Sequence, residues 1–307
     1  MSGGAEVKYA GPETLTVVTG GHSFLEGPRW HDGALYVSDF YTHRVLRIAL
    51  GATGSAGPVE TVAEIEGRPS GLGWDAEGRL LVVSMLDRTL YRVSGGVPEP
   101  VADLGALATG PCNDMLVDGQ GRAYVGNFGG DGEADSPLVD AVLARVDPDG
   151  TVTAAADGLR FPNGVALTPG GTLLVAETYG ARITAFDVAP DGALTGRRVW
   201  ADLSRDGLAA TARGMIATGA VLPDGIALDS EGALWVADAA GSGAVRVREG
   251  GEITERVGTG DLTAFSVALG GPDGRTLFLC ASPRLFETDY PNDHRSAVLS
   301  RRVDVPA

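Results

Sequence analysis

PDGIALDSEGALWVADA, residues 223–239, decides the fold. An acidic residue and a glycine open it, an apolar run follows, and an acidic-glycine turn leads to a second apolar run. Two short apolar runs joined by a tight turn read as paired β-strands. NGVALTPGGTLLVAET repeats the phrase from Asn163, NDMLVDGQGRAYVGNF from Asn113, SGLGWDAEGRLLVVSM from Ser70 and EGPRWHDGALYVSDF from Glu26. A looser sixth copy, FSVALGGPDGRTLFLCAS, begins at Phe265. Successive openings lie 44, 43, 50, 61 and 41 residues apart, the period of propeller blades rather than of helical solenoids.

Six copies predict an all-β chain folded as a six-bladed β-propeller, with residues 1–307 as one domain and repeats opening near 26, 70, 113, 163, 224 and 265. Residues 14–19, TLTVVT, precede the first copy and read as a strand without a partner of its own. The last copy supplies only three obvious strands, around 265–269, 276–281 and 297–303. Because a closed ring leaves no open sheet edge, 14–19 is expected to complete the last blade as its outermost strand. Two stretches interrupt the period. GGDGEADSPLVDA, from Gly129, reads as a solvated loop of the third blade. DLSRDGLAATARGMIATGA, from Asp202, explains the 61-residue interval and holds a short candidate helix, either a lid over the channel or a plain insertion.

Composition agrees with many short strands and tight turns: 46 Gly, 17 Pro and 44% hydrophobic residues. The formal charge of −16, with Lys8 as the sole lysine, repels phosphate backbones and makes nucleic acid an unsuitable partner. The amino-terminal MSGGAEVKYAGPE lacks the basic and apolar regions of a secretory leader, and no apolar run reaches membrane-spanning length, so a cytoplasmic location and no membrane partner are expected. Cys112 and Cys280, 168 residues apart in apolar contexts, read as buried reduced thiols.

In a propeller the innermost strand of each blade lines the axis, so equivalent positions form a ring. The ring reads Glu26, Ser70, Asn113, Asn163, Asp224 and Phe265. Two carboxylates and two carboxamides converging on one axis repel or go unsatisfied unless a cation neutralises them. Mixed Asp, Glu and Asn oxygens suit calcium, with magnesium, manganese or zinc as alternatives, whereas His22, His31, His43 and His294 lack zinc-ligand spacing. Asn-Gly and Asp-Gly are also ordinary turn dipeptides, so one such pair alone means little. His22, four residues before Glu26, reads as a surface histidine or an alternative base. Glu177 and Asn127 read as rim residues bonded within turns, and Trp30, Trp74 and Trp235 as core between blades.

From EGPRW at Glu26 to GGPDGRTLFLC ending at Cys280, the chain resembles the SMP-30/gluconolactonase family, which includes senescence marker protein 30, regucalcin and luciferin-regenerating enzyme-like proteins. The resemblance rests on the combination of EGP, ND, NG and PDG with their flanks. It implies a propeller hydrolase in which Glu26, Asn163 and Asp224 hold one divalent cation, Asn113 touches substrate or the metal's water, and Asp224 doubles as general base. The implied substrate is a small lactone or ester. Sugar-lactone binders of the family carry Arg two residues before the ND asparagine, where this chain has Pro111. The acidic substrate contact of some members maps loosely to Asp131 or Glu133. A non-hydrolytic metal-assisted biosynthetic enzyme and a non-enzymatic calcium-binding propeller are the alternatives.

Overall fold

The computed structural model describes residues 7–51, 56–205 and 207–307; residues 1–6, part of the stretch considered for a leader, lie outside the described residues. Six small sheets, antiparallel but for one added strand, surround an axis as a six-bladed β-propeller. Their innermost strands are Leu25–His31, Pro69–Trp74, Cys112–Val117, Pro162–Leu167, Pro223–Leu228 and Thr263–Gly270. Each adjoins the inner strand of the next blade, and the sixth adjoins the first. Every repeat opening therefore falls within an inner strand.

The strand Thr16–His22 pairs antiparallel with Ser296–Arg302, with Val17 opposite Leu299, and completes the last blade as its outermost strand. This is the closure expected from the unpartnered TLTVVT. One strand was not foreseen. Lys8–Ala10 runs parallel to Ile253–Gly258 and gives the fifth blade a fifth strand. Three residues are too few to show a period of two, so the sequence carries no signal for it.

Apolar side chains on the blade faces interleave between neighbouring sheets. Trp235 and Ala237 of the fifth blade pack with Leu277 and Leu279 of the sixth, and Trp30 of the first stacks on Phe278 of the sixth with ring centroids 5.8 Å apart. Trp74 stacks on His31 across the first two blades, again as core. The helix Ala212–Ala217 is the one α-helix among the described residues, with the Thr211 hydroxyl accepting the Gly214 N–H at 3.1 Å as its cap.

The inner strands share an irregularity that re-aims their opening residues. In the fourth blade Pro162 pairs with Glu177 but Val165 with Val175, so Asn163 and Gly164 share the space of one partner residue. The same extra residue falls at Gly27–Pro28, Ser70–Gly71, Asn113–Asp114, Asp224–Gly225 and Phe265. A β-bulge kinks its strand and turns a side chain out of alternation, here at the axial end of each blade. Close approach of neighbouring blades demands a small residue beside it. A Cβ on Gly164 would lie 2.5 Å from the Asp224 carbonyl oxygen, so the NG and PDG phrases serve inter-blade packing as well as turning. The openings lie inside the inner strands, at the bulges or, for Glu26, immediately before one.

Candidate metal centre

Glu26, Asn113, Asn163 and Asp224 are brought together on the wall of one cavity of about 460 Å³ at the axial mouth, each at most 5% exposed. Ser70 is buried behind them: its hydroxyl donates to Asn113 Oδ1 at 2.7 Å. With that oxygen engaged, Asn113 offers its amide N–H groups to the cavity. Asn163 is turned the other way. The Thr178 hydroxyl donates to the Pro223 carbonyl at 2.8 Å, so it can only accept from Asn163 Nδ2, at 3.3 Å. Asn163 Oδ1 is left without a partner, and so is Asp224 Oδ1.

Charge follows the same division. Burial pushes the Asp224 carboxyl well above the usual carboxylate range, and the nearby Asp114 charge adds to it. Glu26 is raised in the same way, by burial first and then by Asp224. Asp114 is neutralised by Arg29, whose Nη2 lies 2.6 Å from Asp114 Oδ1 and 2.6 Å from the Met115 carbonyl oxygen. No ion pair among the described residues serves Glu26 or Asp224. Buried oxygens without hydrogen-bond donors, beside two carboxyls without counter-charge, fit a hard divalent cation. Among the described residues no three or more His, Cys, Asp and Glu side chains are grouped so as to hold a metal ion, so a cation here would draw on carboxamide oxygen as well as carboxylate.

The other candidates fall elsewhere. Asp131 lies exposed at the mouth, its carboxylate accepting the Glu133 N–H at 3.0 Å and the Ser136 hydroxyl at 2.9 Å; Glu133 lines the mouth beside it. His22 does not reach the cavity; it bonds Thr19 Oγ1 and faces Asp39 between the last and first blades. Glu177 is fully buried beneath Arg182, Thr184 and the Arg160 N–H, and Asn127 bonds the Val142 carbonyl and the Gly129 N–H, both as structural residues. Cys112 and Cys280 are free and buried, and burial raises the Cys112 thiol to about 12, too high for a nucleophile at neutral pH.

Both period-breaking stretches cover the mouth. Ile216 of the short helix faces the cavity, as do Asp131 and Gly132 of the third-blade loop. They hold each other through a Pro137–Thr211 bridge, the Leu138 N–H on the Ala210 carbonyl at 2.8 Å and Arg213 on Asp135 at 2.8 Å. The loop read as a solvated excursion is thus part of the roof, because its main chain pairs with the insertion. A ring of wall residues, apart from Pro111, escaped the sequence reading. Phe24, Arg68, Pro111, Phe161 and Leu222, each two positions before an opening, all line the cavity. The register that exposed the openings would have exposed them too.

Residues 24–282 match the SMP-30/Gluconolactonase/LRE-like region. The chain belongs to that family. It is similar to the pentonolactonase XacC of Haloferax volcanii, 28% identical over 261 residues that cover 83% of this chain and 80% of that protein. A solved gluconolactonase from Xanthomonas campestris superposes with a TM-score of 0.70 at 25% identity, covering 95% of this chain and 89% of the other. A calcium-binding protein, regucalcin, from Agrobacterium tumefaciens shares the fold at a TM-score of 0.76 and 19% identity, over 98% and 97% of the two chains. No helix among the described residues is long and apolar enough to cross a membrane.

Proposed function

We propose that this family member is a metal-dependent hydrolase of a small lactone or ester, with Glu26, Asn163 and Asp224 holding the cation and Asp224 acting as general base. The unpartnered Asn163 Oδ1 and Asp224 Oδ1, buried in a cavity that also holds Glu26, carry this reading. The names of the pentonolactonase and gluconolactonase relatives support the reaction class, and the calcium-binding relative supports the cofactor. A bound divalent cation would polarise the substrate carbonyl and stabilise developing negative charge on its oxygen.

The chain's own groups do the rest. Asp224 accepts a proton from a water as the water oxygen bonds to the carbonyl carbon. Collapse of the tetrahedral adduct breaks the bond to the alcohol oxygen, which leaves with a proton and yields a hydroxy acid from a lactone. Asn113, its own oxygen held by Ser70, points N–H donors at the substrate. The aromatic wall and the roof keep bulk water from the reacting carbonyl.

Elemental analysis of purified protein, coupled to a lactone and ester panel with and without EDTA, tests the proposal. One divalent ion per chain and hydrolysis abolished by EDTA are expected; metal-free protein with unaltered hydrolysis overturns it. A chain that binds the ion yet opens no lactone or ester would be the non-hydrolytic enzyme or the binding propeller instead.

A further inference from the structure

The cavity is built for something other than a bare polyol. Six of the chain's eight phenylalanines and three of its seven tyrosines line it, although aromatic residues are 6% of the sequence. Phe24 and Phe265 sit 4.8 Å apart and Phe128 and Phe161 4.2 Å apart, centroid to centroid, giving broad apolar faces on two sides. A volume of about 460 Å³ lies in the range that encloses drug-sized ligands.

Within this apolar wall stands one basic side chain, Arg68. Its guanidinium carbon lies 4.5 Å from the centroid of the Tyr41 ring, so the plane is held against an aromatic face. None of the ion pairs among the described residues involves it. Its backbone has φ +69°, a left-handed conformation rare for a bulky residue. The Arg68 N–H on the Ile65 carbonyl at 3.2 Å and the Met85 N–H on the Arg68 carbonyl at 2.9 Å hold that conformation. Strained backbone maintained by its surroundings is found where a side chain must be aimed. A guanidinium fixed on an aromatic ring and lacking a carboxylate partner presents a planar fork matched to a carboxylate. The overall charge of −16 repels anions at long range, so any preference for one must come from a contact within the cavity.

Building on the hydrolase reading, we propose that the substrate is an amphipathic anion: a lactone or ester with an apolar, ring-bearing body and a carboxylate remote from the reacting carbonyl. The body lies against the aromatic wall and the carboxylate is bound by Arg68. The Arg of the sugar-lactone binders has no counterpart at Pro111, and the one basic residue of the wall lies instead in the second blade.

Isothermal titration of the purified full-length protein with 4-phenylbutyrate and 4-phenyl-1-butanol separates charge from apolar contact without any turnover. Wild type is expected to bind the acid about tenfold or more tightly than the alcohol, as a charge-assisted contact supplies. Arg68→Met is expected to lose that preference while its affinity for the alcohol changes less than about threefold, and Arg68→Lys to keep part of it. Equal affinities in wild type would overturn the proposal. So would an acid preference that survives in Arg68→Met, which would place the carboxylate on the channel cation instead. The hydrolase reading fails separately, if the lactone and ester panel shows no turnover whatever the binding preference.

Discussion

Asp224 and Asp229 stand five residues apart in one strand-and-turn phrase, both buried, at opposite ends of the same inner strand. Asp229 is completed by the protein. Its Oδ1 accepts the Glu231 and Ala233 N–H groups at 3.0 Å each, and its Oδ2 meets Arg246 Nε at 2.7 Å. Asp118 repeats the pattern with Arg122, and Asp75 with Arg79. Asp224 has no such cation, and its Oδ1 has no partner. The turn end of the blade satisfies its acids internally, whereas Glu26 and Asp224 at the axis have no counter-charge among the described residues. Burial of an acid therefore says little about function until its partners are counted.

Removing the two carboxylates should separate those roles. Asp224→Asn is expected to lower kcat/KM by roughly two to four orders of magnitude and to deplete the bound ion, read by steady-state kinetics and elemental analysis. Catalysis surviving with metal occupancy intact would end the general-base role. Asp229→Ala should leave the buried Arg246 with only the largely exposed Glu231 as an acidic partner, a loss of about 3 kcal/mol in denaturant unfolding, with metal content per folded chain unchanged.

Acid unfolding sharpens the contrast. Burial alone would raise the Glu177 carboxyl, but hydrogen bonds from Arg182, Thr184 and the Arg160 N–H outweigh it and hold it below its ordinary value of 4.5. A depressed carboxyl contributes stability that is complete above that ordinary value and is lost as pH falls through the folded one. Glu177→Gln is therefore expected to lower stability at neutral pH and to flatten the pH dependence below 4.5. A curve parallel to wild type would refute the assignment. The smallest effect belongs to Ser70→Ala. Loss of one hydrogen bond to Asn113 should raise KM about two- to tenfold with kcat nearly unchanged, since the hydroxyl orients a residue without touching substrate.

Much of this organisation was legible in the sequence because it repeats. The spacing of Glu26, Asn113, Asn163 and Asp224 placed them on one axis, and the stranded TLTVVT showed how the ring closes. The bulges were not legible, since one extra residue leaves no mark on a pattern whose copies all carry it. The roof was legible only in part: residues 202–220 read as a lid or a plain insertion, but residues 129–140 did not read as roof, because the two stretches fold against each other rather than by a local period. Arg68 was overlooked for a different reason: it sits beside an opening rather than at one, and only the cavity shows that it matters.

Ring closure also bears on how the molecule is made. Thr16–His22 waits for Ser296–Arg302, and the Ser296 hydroxyl binds the Ser23 carbonyl. During synthesis the first blade leaves the ribosome long before its neighbour on the other side exists, so two sheet edges stay open until the final strand emerges. Glu26 shares in that delay, because its strand adjoins the sixth inner strand. A nascent chain stalled before residue 296 should therefore hold five formed blades and a central cavity not yet closed beside Glu26, prone to pair with other chains through its free edges.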